Sequence, residues 1–440
     1  MTYPLPENAF PDSEAGARAY ALAKELFPIC RSITGRGVRE TLAIIAREIP
    51  ELMIHEVPSG IKCFDWTVPP EWSVREAYIE NERGQRIVNF KDNNLHLVGY
   101  SIAVDRMLSL DELRPHLYSL PGMPDAIPYV TSYYAERWGF CLSHRQLTAL
   151  EPGNYRVRID STLAPGGLTY GEVILPGQSR AEVFLSTYVC HPSLGNNELS
   201  GPTVATELVR WIRSLPRRRF TYRVVFIPET IGSITYLSRH LPELKERVIA
   251  GFNLTCIGDD RVYSYLPSRN GKTLADRAAL HALKHHAADF MRYGFLDRGS
   301  DERQYCSPGV DLPVASIMRS KYGSYPEYHT SLDDLSLISP AGLGGGINAI
   351  AKAILTVELN RAYRATVLCE PQLGKRGLYP TLNGPGGRHM GRLLTDIFTY
   401  CDGEHDLLSI AELLDLPVWE LVPAVRQLAD AGLIEQEDKV

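Results

Sequence analysis

The chain has 440 residues, 44% hydrophobic and 22% charged, with a formal net charge of −6. That length exceeds one ordinary core and predicts two or three domains, and the balance is that of a soluble globular protein. No apolar run reaches the roughly 18 residues of a spanning helix, and the acidic balance lacks the basic face that neutralises nucleic-acid phosphates.

The N-terminal MTYPLPENAFPDSEAGARAY carries prolines and acids where a secretory signal is basic and then apolar, so a cytoplasmic location is expected. From Ala15 to Glu48, AYALAKELF and VRETLAIIAREI have helical spacing. Short alternating runs between turn residues, such as REAYIENERGQRIVNF, YRVRIDSTL and LTYGEVIL, predict a β-rich insertion over 58–176. From Ala181 buried β runs alternate with helices: EVFLSTYVC, YRVVFIPE, VIAGFNLTCIG and VDLPVASIM. This is the pattern of a three-layer α/β/α domain, formed by 1–57 and 177–365, around a mostly parallel sheet. A Gly/Pro-rich linker, LGKRGLYPTLNGPGG, then leads into a helix, turn, helix and short polar end, predicting a winged helix over 366–440. From Leu393 onward eleven acids face two basic residues. Such a surface repels DNA, so the module is expected to make protein contacts, with a partner or a second copy.

In parallel sheets ligands bind beyond the carboxyl ends of the strands, and four segments place polar residues there. His191 follows the first strand and suits zinc, or equally a hydrogen-bonded loop; Asn196, Asn197 and Glu198 come next, of which Glu198 is the good ligand. Glu229 ends the second strand as a general base or as an acid at the N-terminus of the next helix. Asp259 and Asp260 follow the third strand as an Asx-turn pair. The fourth segment holds Asp301, Glu302 and Arg303, then Tyr328 and His329 before Thr330, Ser331, Asp333 and Asp334 at an expected helix start. His281 and His285 read as an exposed helix face, and Cys306 lacks a histidine partner. The eight cysteines are scattered singly and read as reduced thiols.

In their order, STYVCHP, LSG at 199–201, PETIGS and YHTSLDD resemble the zinc-dependent exopeptidase fold of aminopeptidases, carboxypeptidases and glutaminyl cyclases. The resemblance implies that His191 and His329 are metal ligands and Glu229 the catalytic base. It also places Asn197, Thr230 and Thr255 where that fold has three metal-binding carboxylates. A dinuclear site would lack its charge compensation, so one zinc ion is expected, on His191, His329 and a third ligand. Glu198 is the first choice for that ligand, and Asp301 and Glu229 are alternatives. Asp301, Glu302, Arg303 and Tyr328 are candidate substrate contacts, and Arg31 or Arg303 could receive a substrate carboxylate. Over its whole length, through CRSITGRGVRETL, DNNLHLVGYS, SDERQYCSPG and PEYHTSLDDL, the chain is similar to bacterial aminopeptidase-like proteins found near polysaccharide and secondary-metabolite biosynthesis. The leading expectation is a metal-dependent hydrolase of an amide bond in a small peptide, amino-acid or amino-sugar conjugate. The rival expectation is a non-catalytic binding or scaffolding module on the same fold.

Overall fold

The computed structural model of the chain describes residues 9–378 and 385–437. Eight strands form one sheet in the order 53–58, 167–175, 221–227, 182–188, 248–253, 314–318, 264–266 and 291–292. The middle four, 221–227, 182–188, 248–253 and 314–318, run parallel. They are the apolar runs read from the sequence, and burial on both faces is why they do not alternate in polarity. Val183 and Leu185 face one core with helices Ala15–Leu26, Arg36–Glu48, Ser200–Ser214, Leu274–Lys284 and Pro340–Leu359. Phe184 and Tyr188 face the other core, with helix Ile231–Arg247 and the insertion.

Four of the seven ladders of this sheet are parallel, as expected, and the antiparallel ones lie outside the middle four strands. Strand Gly167–Leu175, expected within the insertion, belongs to the main sheet and runs antiparallel to both 53–58 and 221–227. It follows Asn154–Ala164 after a two-residue turn. A parallel entry would need a crossover of a dozen residues or so. The insertion proper is a four-stranded antiparallel sheet in the order 86–89, 71–81, 154–164 and 104–109.

The C-terminal unit is a winged helix that starts earlier than expected. Strand Ala362–Ala365 pairs with Asp402–Asp406 and with Ile434–Glu437, which is the wing. Helices Leu407–Leu414 and Val418–Asp430 form the helix-turn-helix, preceded by Pro385–Thr399. The expected linker falls partly on 379–384, outside the described residues. The unit is bolted to the α/β domain: Arg277 donates to both oxygens of Asp406 at 2.7 and 2.8 Å, and His281 Nε2 accepts from the backbone N–H of Val418 at 2.9 Å. His281 is therefore buried at an interface rather than displayed on an exposed face. Its nitrogen satisfies an N–H that the start of helix Val418–Asp430 leaves unpaired. Among the described residues no helix is long and apolar enough to cross a membrane.

Candidate functional site

Parallel strands deliver their carboxyl ends to one edge, and there the chain leaves strand Glu182–Tyr188 for Cys190 and His191, and strand Thr221–Ile227 for Glu229. The buried His191 ring is held from behind. Its Nδ1 lies 2.9 Å from Glu198 Oε2, which also accepts from the His191 backbone N–H at 3.0 Å. Glu198 in turn sits 3.2 Å from Arg31 Nε, both side chains being 0% exposed, and the same Nε donates to the His191 carbonyl at 2.9 Å. A carboxylate on Nδ1 fixes the tautomer and leaves Nε2 as the open nitrogen. That Nε2 faces Glu229 Oε2 at 3.6 Å. Glu198 reaches back because residues 195–199 form a π-helical turn, Leu199 N–H bonding to Leu194 five residues earlier. Such turns recur at functional sites.

His329 approaches from the loop after strand Val314–Met318. Its ring centroid is 5.6 Å from that of His191, and it stacks on Tyr328 at 3.9 Å. Its Nε2 is buried and has no hydrogen-bond partner. Burial, reinforced by His191, lowers its pKa to about 3, so the ring is neutral. The backbone of His329 has φ +56°, a conformation that costs an L-residue about 1–2 kcal/mol. The insertion holds it there. Tyr129 N–H donates to the His329 carbonyl at 2.8 Å, and Ser331 N–H to that of Ile127 at 2.8 Å. Thr230 is strained likewise, at φ +63°, directly after Glu229.

For His191, burial works to lower the pKa, yet Cys190 and Glu198 raise it well above the ordinary value. Burial raises the carboxyl of Glu229, opposed by His191 and Arg303. It also lifts Asp301 to about 7, with help from the charge of Glu229. A cavity of about 300 Å³ opens over these groups, lined by His191, His329, Glu229, Cys190 and Arg303 and roofed by Trp66, Tyr129, Tyr133 and Tyr134.

Residues 20–360 match a family model described as a domain of unknown function, DUF4910, and 361–436 match a winged helix-turn-helix model. The chain belongs to the DUF4910 family. A Clostridium acetobutylicum protein, provisionally named for polysaccharide biosynthesis and an aminopeptidase-like domain, is 44% identical over 91% of this chain and 92% of its own. A crystal structure from that organism, provisionally titled a peptidase, shares 42% identity and a TM-score of 0.90 over 97% of each chain. The zinc aminopeptidase BSAP of Bacillus subtilis, 12% identical, has a TM-score of 0.57 over 78% of this chain and 95% of that one, which speaks to fold. This DUF4910 chain therefore carries an aminopeptidase-like α/β domain and a C-terminal winged helix.

The structure gathers His191, His329, Glu229 and Arg303 around one cavity. It turns other expected site residues elsewhere. Glu198 turns Oε2 to His191, while its Oε1 lies 3.2 Å from Arg31 Nε with no hydrogen-bond partner. Cys190, His191 and Glu198 offer ligand atoms within 4.8 Å of one another, and burial pushes the Cys190 thiol up to about 11. Asp301 is buried behind Glu229, accepting from Thr230 N–H and Ser233 Oγ at 2.8 Å each. Glu302 accepts from the backbone N–H groups of Gly299 and Ser300 and from Tyr322 and Asn253, bracing its own loop. Tyr328 supports the His329 ring. Asp333 opens no helix; it binds the backbone N–H groups of Asn196 and Asn197, and burial raises it to about 6. Asp259 makes the expected Asx-turn to Arg261 N–H, at 2.9 Å.

Asn197 and Thr255 meet in a neutral network: Tyr188 Oη lies 3.1 Å from Asn197 Oδ1 and 2.5 Å from Thr255 Oγ1. Sequence reasoning missed the aromatic roof, although the density of rings in YVTSYYAERW, 129–138, was its signal.

Proposed function

We propose that the chain is a single-metal hydrolase that cleaves an amide bond in a small peptide, amino-acid or amino-sugar conjugate. The observation that carries this reading is the pair of imidazole nitrogens at one cavity, His191 Nε2 left open by Glu198 on Nδ1 and His329 Nε2 buried with no partner. An orphaned neutral imidazole beside an oriented one offers two of the three protein ligands that a catalytic zinc takes. His191 and His329 would hold it, and zinc would supply polarisation of the amide carbonyl and a more acidic water. The uncharged Tyr188–Asn197–Thr255 network supports one ion rather than two, since a second dication would have no charge to meet it.

Glu229 is the proton acceptor. Burial raises its basicity toward the working range, and its carboxylate points at the open nitrogen of His191. It takes a proton from water as the oxygen adds to the carbonyl carbon, then delivers that proton to the nitrogen as the C–N bond breaks. The name of the Clostridium relative supports a place in polysaccharide biosynthesis.

Metal analysis of protein purified without chelators tests the reading. The expected result is about one zinc per chain, lost in His191→Ala and His329→Ala. Glu229→Gln should keep the metal and lose turnover of about 10²- to 10⁴-fold. Metal-free wild-type protein would leave the binding-module reading in its place, and loss of zinc in Glu229→Gln would make Glu229 a ligand.

A further inference from the structure

The cavity over the two histidines has a lopsided lining. Trp66 sits on a short hairpin that pairs Lys62–Cys63 with Trp66–Thr67, and it meets Tyr134 edge to face with centroids 5.5 Å apart. Both rings keep much of their surface in water, 37% and 57% exposed. Aromatic surface left open at a cavity mouth is placed to cover a flat apolar face.

The charged groups are just as uneven. Among the described residues that line the cavity, Glu229 is the one carboxylate and Arg303 the one basic side chain besides the histidines. One terminal nitrogen of Arg303 donates to Thr230 Oγ1 at 2.5 Å, while its Nε is buried without a hydrogen-bond partner. Arg303 makes no ion pair within 4 Å among the described residues, so an oxyacid entering the cavity would meet its uncompensated charge with a charge-assisted bond. A substrate with a free ammonium would need a carboxylate of its own. With Glu229 engaged in proton transfer, the lining offers none.

We infer that this cavity takes N-acylated acids: amides that carry a carboxylate for Arg303 and a ring for Trp66 and Tyr134, rather than peptides with a free amino end. This rests on the reading of the site as an amide hydrolase. An aromatic side chain and a pyranose both offer such a ring face.

Calorimetric binding to the full-length protein tests the inference separately from hydrolysis. The probes are N-acetyl-L-phenylalanine, N-acetylmuramic acid, N-acetyl-L-phenylalaninamide and L-phenylalaninamide. At least one of the two acids is expected to bind about tenfold tighter than the neutral amide and the ammonium probe, and which acid does so identifies the ring. Arg303→Gln should abolish the preference for the acid, and Arg303→Lys, which keeps the charge, should retain it. Trp66→Ala, on its exposed hairpin, should weaken the favoured acid several-fold. Equal or tighter binding of L-phenylalaninamide, no binding of either acid, or an acid preference that survives Arg303→Gln would overturn the inference. Tight binding of an acid without turnover in zinc-loaded protein would instead count against hydrolysis alone.

Discussion

Replacing Glu198 by Gln isolates the task of the carboxylate behind His191. The wild-type oxygen receives two bonds from one residue, 2.9 Å to Nδ1 and 3.0 Å to the backbone N–H, and the other oxygen faces Arg31 at 3.2 Å. Gln keeps one acceptor and removes the charge that fixes the ring and raises its basicity. Loss of such a supporting group costs roughly 10- to 100-fold in metal affinity, or about 1.4 to 2.7 kcal/mol. Stability should fall as well, since removing one partner of a buried ion pair costs about 3–5 kcal/mol. The loss belongs at the low end, because Arg31 keeps the carbonyls of His191 and Leu26. Competition for zinc against a chromophoric chelator gives the affinity, and thermal unfolding of the metal-free protein gives the stability. A variant as depleted of zinc as His191→Ala would make Glu198 a direct ligand. Wild-type affinity would show that it orients nothing, and either result refutes the reasoning.

The interface of the winged helix should be acid-sensitive through His281. Burial, assisted by His285, Lys284 and Arg277, lowers its pKa to about 4, from roughly 6.5 in the unfolded chain. The depressed value means that the stabilisation is complete above pH 6.5 and fades as pH falls toward 4. It amounts to about 3 kcal/mol. Melting temperature should therefore drop more across that window in wild type than in His281→Gln, and parallel curves would exclude the histidine as the cause. In the helix after the His191 loop, Gly201→Ala would push a Cβ to 2.5 Å from the Leu254 carbonyl and 2.3 Å from Thr187 Oγ1. The expected loss is about 2–3 kcal/mol in urea unfolding, and an unchanged midpoint would mean that helix Ser200–Ser214 can lift off the sheet without cost.

How far the site could be read from the chain depended on the range of the interactions involved. Buried strands announce themselves as unbroken apolar runs, and the polar residues that end them, His191 and Glu229, are placed by parallel topology. The duty of Glu198 is not, because it depends on a π-helical turn that aims the side chain backwards. Asp333 looked like the first turn of a helix by its local pattern, yet its partners lie more than 130 residues away at Asn196 and Asn197. Strand Gly167–Leu175 was assigned to the insertion because it is continuous with that run of short strands. Its burial on both faces, which comes from long-range pairing with 53–58 and 221–227, is not written in the mixed polarity of GLTYGEVIL.

The bonds from the insertion to the loop of His329 have a bearing on how the protein can be engineered. Since Tyr129 and Ile127 hold that loop by its backbone while Tyr129 also roofs the cavity, the wall over the cavity and the histidine beneath it are one mechanical part. Trimming the insertion to reach a minimal α/β domain would free His329 to relax out of its left-handed backbone. The reduced protein would keep its sheet and lose its site.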